Sequence, residues 1–423
     1  MVLHIHLLAL ISMRQLCIQM YDVIIVGAGP SGTTAALYAS RLGLNAILLD
    51  KSTFPRDKIC GDALSGKTVR VLRDLNLLES VKGLEGATIE RITFGSPGNQ
   101  QFDVQLKGSE QNDYITEGYV IPRKVFDNFL FQRASEVTET RQGFNVKDLI
   151  KDGDNVAGVE GVNSDGQLEQ IEAPIIMGAD GPNSIVSRKM DLYEMDMKNT
   201  AVALRCYYKG VEGLTNQIEL HYLEEVNPGY FWLFPAGNGT ANIGIGLSKD
   251  EAKKKDRNLR DILDQVINSD RFKGRFKNAE AMEKPVGWNL PLGRIKRANH
   301  GNGYMLLGDA AGLVDPFTGE GIGNAMVSGM YASRVASKAI KLNNYKDDIF
   351  EEYDSLLWNE LGGELRTSSK LADLARHSFL LNFVINRAVR NKGVRDIISG
   401  MLSQEISKDD LSRPSFYFKI LFS

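Results

Sequence analysis

Tyr21-Asp22-Val23-Ile24-Ile25-Val26-Gly27-Ala28-Gly29-Pro30-Ser31-Gly32 is the stretch on which the reading of this chain turns. Its first half is a β-branched run, the pattern of a parallel strand buried on both faces. The second half is a Gly-x-Gly-x-x-Gly turn, after which Thr33 to Leu42 reads as a helix closed by Gly43. Gly27 permits the tight turn, Gly29 admits a pyrophosphate close to the backbone, and Gly32 lets helix and strand pack closely. The start of the helix then offers unpaired N–H groups to the anion. Leu44 to Leu49 follows as a second strand, ending in Asp50, whose carboxylate suits a ribose 2′-hydroxyl. A lone glycine turn is weak evidence. Strand, turn, helix, second strand and acid in this order point to a dinucleotide.

Two further stretches narrow the dinucleotide to FAD. The strand expected over Ile171 to Met177 leads into Gly178-Ala179-Asp180-Gly181-Pro182-Asn183-Ser184. A later apolar strand ends in Gly308-Asp309, then Asp315-Pro316 and Gly319-Glu320-Gly321-Ile322-Gly323-Asn324 open a helix of small residues. An aspartate at a strand end suits a ribityl hydroxyl. The helix start near Gly321 would favour negative charge on the N1/C2=O edge of a reduced flavin. Read singly, each stretch is equally a strand-to-helix turn with a capping aspartate. Their succession favours the flavin.

Composition limits the alternatives. With 423 residues the chain exceeds the span of one hydrophobic core, and its apolar fraction of 43% is that of a globular protein. Fifty basic residues against fifty-three acidic ones give a net charge of −3, without the positive excess that nucleic-acid binding needs. Three separated cysteines and five scattered histidines build neither a disulfide framework nor a metal site, and imply a reducing, cytoplasmic setting. Val2 to Met13 lacks a basic flank and a cleavage site, and is too short to span a bilayer. Residues 1–20 are therefore expected to be a short leader, or a mis-assigned start with Met13 or Met20 as the true one.

With these motifs in view, the chain resembles the flavoprotein monooxygenase superfamily with the p-hydroxybenzoate-hydroxylase type of fold. The resemblance implies Asp180 and Gly181 near the pyrophosphate, Asp309 on the ribityl chain, and Gly321 and Ile322 at the isoalloxazine. Arg123-x-x-Phe126-Asp127 is similar to that superfamily's Arg-x-x-Phe-Asp segment, which makes Arg123 an FAD contact; a surface ion pair with Asp127 is the other reading. Two stretches resemble the geranylgeranyl reductase-like flavoproteins more narrowly. Pro55 through Cys60-Gly61 is similar to their Pro-x-x-x-x-Cys-Gly motif. Tyr230-Phe231-Trp232-Leu233-Phe234-Pro235 with Gly244-Ile245-Gly246 is similar to their Tyr-x-Trp-x-Phe-Pro…Gly-x-Gly motif. The family reduces carbon–carbon double bonds of prenyl chains on lipids, quinones or chlorophyll.

The FAD contacts so expected are Gly27, Gly29, Ser31, Gly32, Asp50, Cys60, Gly61, Ala63, Arg123, Asp180, Gly181, Asp309, Gly321 and Ile322. The catalytic candidates are Cys60, Tyr230 and Trp232, with no metal. Tyr230, Trp232 and Phe234 alternate along a strand and share one face, either as a pocket wall for an apolar prenyl chain or as plain core. Cys60 either takes part in the chemistry or is a small residue in a loop against FAD, with Lys58 nearby favouring a thiolate. No second glycine-rich dinucleotide unit follows, so the electron donor is NAD(P)H bound transiently or a ferredoxin-like protein. A flavin-dependent monooxygenase or halogenase is the rival reading, although Tyr230 stands where halogenases carry the first tryptophan of Gly-Trp-x-Trp-x-Ile-Pro. An FAD-binding protein without turnover is the other rival.

The fold expected is α/β: a Rossmann-like FAD-binding domain, an inserted and mostly antiparallel β substrate domain, and a C-terminal helical region. Residues 21–90, 120–190 and 296–345 form the discontinuous FAD domain; 91–119 and 191–295 form the substrate domain; 346–423 form the helical region. Lys249 to Lys277 reads as a solvated surface helix. Phe379 to Ile385, followed by Arg387, Arg390, Lys392 and Arg395, is either a helix over the substrate channel or one resting peripherally on an anionic membrane. The sequence carries no signal for an oligomeric state.

Overall fold

The computed structural model describes residues 21–106, 118–192, 196–254 and 256–396, so the expectation for residues 1–20 lies outside it. The run at Val23–Val26 is the centre of a six-stranded sheet and is fully buried. It pairs in parallel with Ala46–Asp50 on one side and Ile175–Gly178 on the other. Tyr304–Leu306 extends the parallel set beyond Ile175–Gly178, and Glu139–Gln142 extends it beyond Ala46–Asp50. Parallel strands of this kind need both faces covered, which explains their unbroken apolar sequences.

On one face lies the helix Pro30–Arg41, and over it packs the small-residue helix Ile322–Leu342. A Cβ on Gly329 would lie 2.3 Å from the Ser31 carbonyl oxygen, so glycine sets how closely these helices approach. Ser333 Oγ donates to the Ala35 carbonyl across the same contact. The strand expected over Ile171 to Met177 is two elements, Leu168–Glu172 and Ile175–Gly178, in different sheets. Pro174 stands between them and has no N–H for a ladder.

A second, eight-stranded sheet is mostly antiparallel. Its order is Glu280–Ala281, Thr200–Lys209, Thr240–Ser248, Gly229–Gly237, Gln217–His221, Arg91–Gly95 and Gln101–Gln105, with Val286–Pro291 also paired to Thr200–Lys209. One pair, Gln217–His221 with Arg91–Gly95, is parallel. Phe231, Leu233, Ile243 and Ile245 face one core with Leu263 and Val266, while Tyr230, Trp232 and Phe234 face the other side. The single surface helix expected over Lys249 to Lys277 is instead three short helices, Lys249–Lys254, Leu259–Ile267 and Lys273–Phe276. Ile262, Leu263 and Val266 recur at the i, i+1, i+4 spacing of one apolar stripe and are buried on the sheet. The helices Asp347–Leu374 and Ser378–Arg390 follow, and residues 392–396, where the described chain ends, are helical as well. Among the described residues no helix is long and apolar enough to cross a membrane.

Candidate functional site

One cavity of about 1500 Å³ runs from the Gly27–Ser31 turn to the aromatic strand and on to the helices Asp347–Leu374 and Ser378–Arg390. At its first end, Gly27 has φ +102, and a Cβ there would lie 2.5 Å from the Ala179 carbonyl oxygen. A Cβ on Gly32 would sit 1.8 Å from the Gly27 oxygen, so this position in the first turn of the helix tolerates no side chain. Gly29 differs: the nearest atom to its Cβ position is Arg56 Nη2 at 3.8 Å, and the space it leaves opens into the cavity. Among the described residues no side chain caps the helix Pro30–Arg41, which leaves its first N–H groups, with Ser31 beside them, to an anion.

Asp50 uses both oxygens on its own loops, accepting from Ala28 N and from Ser52 N, each at 2.8 Å. It therefore builds the turn as well as lining the cavity. Asp180 accepts from Ile185 N at 2.6 Å through Oδ2, while its buried Oδ1 has no partner among the described residues and burial pushes the carboxyl up. Beside it Gly181 has φ +79 and open space at its Cβ position. The glycine-lined opening beside an uncapped helix start fits the pyrophosphate end of FAD, while the unspent acceptor oxygen of Asp180 suits a hydroxyl of the same dinucleotide. Asp309 is joined to Lys58 Nζ at 2.9 Å. Lys58 is thus bound to a carboxylate, and burial outweighs Arg123 and Lys58 in pushing the Cys60 thiol up, so a thiolate is disfavoured, against the expectation from Lys58.

Gly321 precedes the helix Ile322–Leu342, and its Cβ position is 3.8 Å from Asp309 Oδ1. That helix start is already met by an acid, since Glu320 Oε1 accepts Gly323 N at 2.6 Å. Buried Lys67, paired with Glu364 at 2.7 Å, draws Glu320 toward its charged form while burial holds it up. The amides expected to serve a flavin edge are therefore partly engaged.

Arg123 is not on the surface. It is 2% exposed and binds Asp127 in two parallel bonds of 2.6 and 2.7 Å, with Arg56 on the same carboxylate at 2.8 Å. The ion pair with Asp127 exists, but it is buried at the cavity wall and not on the surface. Cys60 lies against it, with Asp62 N donating to Sγ at 3.4 Å. A Cβ on Gly61 would lie 3.1 Å from Phe234 Cε2 and 3.8 Å from Trp232 Nε1, so the Cys60-Gly61 turn rests on the aromatic face. Ala63 continues along the cavity in the short strand Ala63–Leu64.

The spacing of the second motif has a steric reason. Trp232 is opposite Gly244, where a Cβ would lie 2.2 Å from the indole Cζ2; Tyr230 is opposite Gly246. The glycines leave room for the indole to lie flat across the neighbouring strand. Tyr230 Oη donates to the Thr318 carbonyl at 2.6 Å, tying the aromatic strand to the turn before Gly321. All three rings line the cavity. Three residues that join this site escaped the sequence reading: Asp62, Tyr207 and Asn242. The Asn238-Gly239 turn signals the hairpin that sets Asn242 opposite Phe234, but a register shift between Pro235 and Gly237 hides the pairing.

A nucleotide cradle on a parallel sheet, joined to a largely apolar cavity under a second sheet, defines an FAD-dependent oxidoreductase. Residues 20–348 match the family model described as FAD binding domain. Digeranylgeranylglycerophospholipid reductase of Methanococcus vannielii is 32% identical over 351 residues, covering 80% of this chain and 82% of the relative. The enzyme of that name from Methanocaldococcus jannaschii is 32% identical over 348 residues, with the same coverage of 80% and 82%. Among solved structures, a geranylgeranyl bacteriochlorophyll reductase-like protein from Thermoplasma acidophilum aligns with TM-score 0.78 and 26% identity, over 87% of this chain and 91% of that one. A flavin-dependent brominase aligns with TM-score 0.75 at 24% identity, over 91% and 94%, and shares the fold. The chain belongs to the FAD binding domain family, and within it to the geranylgeranyl reductase-type oxidoreductases.

Proposed function

We propose that the protein saturates carbon–carbon double bonds in the prenyl chains of a membrane lipid, from the cytoplasmic face of the membrane. The observation that carries this reading is the continuity of the cavity. Its volume of about 1500 Å³ is more than one drug-sized ligand requires, leaving space for a chain beside the dinucleotide. Bound FAD would supply the two-electron chemistry. Gly27, Gly29, Ser31, Gly32, Asp180 and Gly181 hold the pyrophosphate end, and Asp309, Gly321 and Ile322 flank the ring end. Tyr230 and Trp232 with Phe234 orient the chain and exclude water. Cys60, held as a neutral thiol beside Arg123, keeps a proton next to the chain.

Electrons come from NAD(P)H binding transiently or from a ferredoxin-like protein. The test is to reduce the FAD-loaded protein anaerobically and mix it with a lipid bearing geranylgeranyl chains, following flavin absorbance and product mass. A mass gain of one H₂ per double bond is expected. Reoxidation that needs oxygen and adds an oxygen or halogen atom would overturn the reading in favour of a monooxygenase or halogenase. Repeating the reaction with NADPH, NADH or reduced ferredoxin as the only reductant separates the donors.

A further inference from the structure

Beneath the Cys60-Gly61 turn lies a carboxylate that the proposed chemistry does not use. Asp62 is 0% exposed, adopts φ +67 and borders the cavity. Its Oδ2 accepts from the Tyr207 hydroxyl and from Asn242 Nδ2, the latter at 2.7 Å. Its Oδ1 has no hydrogen-bond partner among the described residues. Asn242 is fixed in orientation, because its Oδ1 accepts the Trp232 indole N–H at 2.9 Å. Its amide therefore faces both Asp62 and the Cys60 carbonyl, to which it donates at 2.7 Å. Tyr207 and Phe234 are the residues directly opposite Asn242 on the two neighbouring strands. The carboxylate thus joins the 60–62 turn to two adjacent strands of the other sheet, and Asn242 carries the link to a third through Trp232.

We propose that Asp62 is a positioning residue: through Asn242 and Tyr207 it locks the Cys60-Gly61 turn against the Trp232 indole, and the lock loosens when its charge is lost. Two donors converge on one oxygen, which an ionised carboxylate accepts with stronger, charge-assisted bonds. An amide in its place can keep its oxygen on both donors and turn its NH2 to where Oδ1 has no partner, so it preserves the shape of the network and removes the charge assistance. The charged and titratable groups around it are Cys60 and Lys58 on its own loop, Arg123 from the helix Arg123–Ser135, and Arg205 and Tyr207 from the strand Thr200–Lys209. Arg205 is itself held by Asp57 at 2.6 Å and by Glu283, and lies 4.3 Å from the Tyr207 ring. Burial pushes the Asp62 carboxyl up to about 6, against the opposing pull of Tyr207, Asn242, Arg205 and Arg123. Burial pushes Cys60 and Tyr207 up as well, away from neutral pH. Asp62 is the group of this set brought into the range where a modest pH change alters its charge.

The lock needs only the geometry, while its effect on turnover rests on the reductase reading. The measurement is the indole N–H resonance of Trp232 in FAD-loaded, indole-¹⁵N-labelled protein, assigned with Trp232→Phe and followed between about pH 5 and pH 8. It is expected to titrate with a midpoint near the Asp62 value and to become pH-invariant in Asp62→Asn. In Tyr207→Phe, loss of a donor to the charged form should move the midpoint upward, a second test if Asp62→Asn folds poorly. Asp62→Asn is also expected to lower kcat about tenfold or more at neutral pH with little change in KM for the lipid. A wild-type indole that does not titrate, one that titrates unchanged in Asp62→Asn, or an unmoved midpoint in Tyr207→Phe overturns the proposal. A titrating indole in a protein that never saturates lipid would instead overturn the reductase reading alone.

Discussion

At the scale of single residues, the glycine-rich turn and the buried Arg123 behave as opposite kinds of constraint. Gly32 is a constraint of space: with 1.8 Å between a Cβ and the Gly27 oxygen, no rotamer relieves the clash. Gly32→Ala should cost about 1–3 kcal/mol through overpacking and shift the turn that faces the pyrophosphate. The expected preparation is colourless with a lowered Tm; a yellow protein of normal Tm would contradict this account. Arg123 is a constraint of charge. Arg123→Met leaves Asp127 buried with only Arg56, and should destabilise by about 3 kcal/mol, the lower end for broken buried pairs. The sign with pH follows from Asp127, whose carboxyl Arg123 and Arg56 hold below its usual range despite burial. Its contribution is present above the unfolded value of about 4 and is lost as pH falls through the lower folded value. The variant should therefore show a smaller loss of stability on acidification, measurable by urea unfolding at successive pH values.

At the scale of elements, legibility followed locality. The unit from Tyr21 to Asp50 was readable because strand, turn, helix and acid are contiguous, and each leaves a local signature. The Ile171 to Met177 run was misread because hydrophobicity alone carries no sign of a strand changing sheets; Pro174 was the available marker. The helices between Lys249 and Lys277 were read as one solvated element because charge hid the short stripe Ile262, Leu263 and Val266. Arg123 was left between two readings, since nothing in Arg-x-x-Phe-Asp shows whether its helix start is covered. In the candidate site, the aromatic face was legible from alternation, but Asp62, Tyr207 and Asn242 come from three distant segments and meet only through strand register. The glycines opposite the aromatic residues make an element-level prediction. In Gly244→Ala the added methyl would meet Trp232 Cζ2 at 2.2 Å and the Leu204 oxygen at 2.3 Å. The indole must leave its seat, so the Trp232–Asn242 bond should be lost and lipid KM should rise more than FAD affinity falls. Measuring both by kinetics and flavin titration checks this; equal effects would place the damage in the whole sheet.

At the scale of the molecule, the helix Ser378–Arg390 belongs to both inside and outside. Leu371, Leu374, Leu380, Leu381 and Val384 border the cavity, while Phe379 at 69% and Phe383 at 43% exposure lie away from it. Phe379 and Phe383 are four residues apart and so share one helical face. Arg390 and Lys392 lie on or beside the same helix, the pairing of apolar and basic side chains found where a helix rests in a lipid headgroup layer. Channel cover and membrane rest are alternatives in the sequence; under the proposed function the helix Ser378–Arg390 would serve both. A prenyl chain leaving a bilayer at this lip would enter the cavity without crossing water, which gives the arrangement its use under the proposed function. The double variant Phe379→Ser, Phe383→Ser removes the outward rings without touching the cavity side. It should weaken binding to phosphatidylglycerol-containing vesicles about tenfold, equivalent to about 1.4 kcal/mol, with retained FAD and unchanged Tm. Turnover of lipid presented in those vesicles should fall by a similar factor, whereas turnover of the same lipid dispersed in detergent should not. Unchanged sedimentation with vesicles, or an equal loss in detergent, would remove the membrane from this face and leave the helix as channel cover alone.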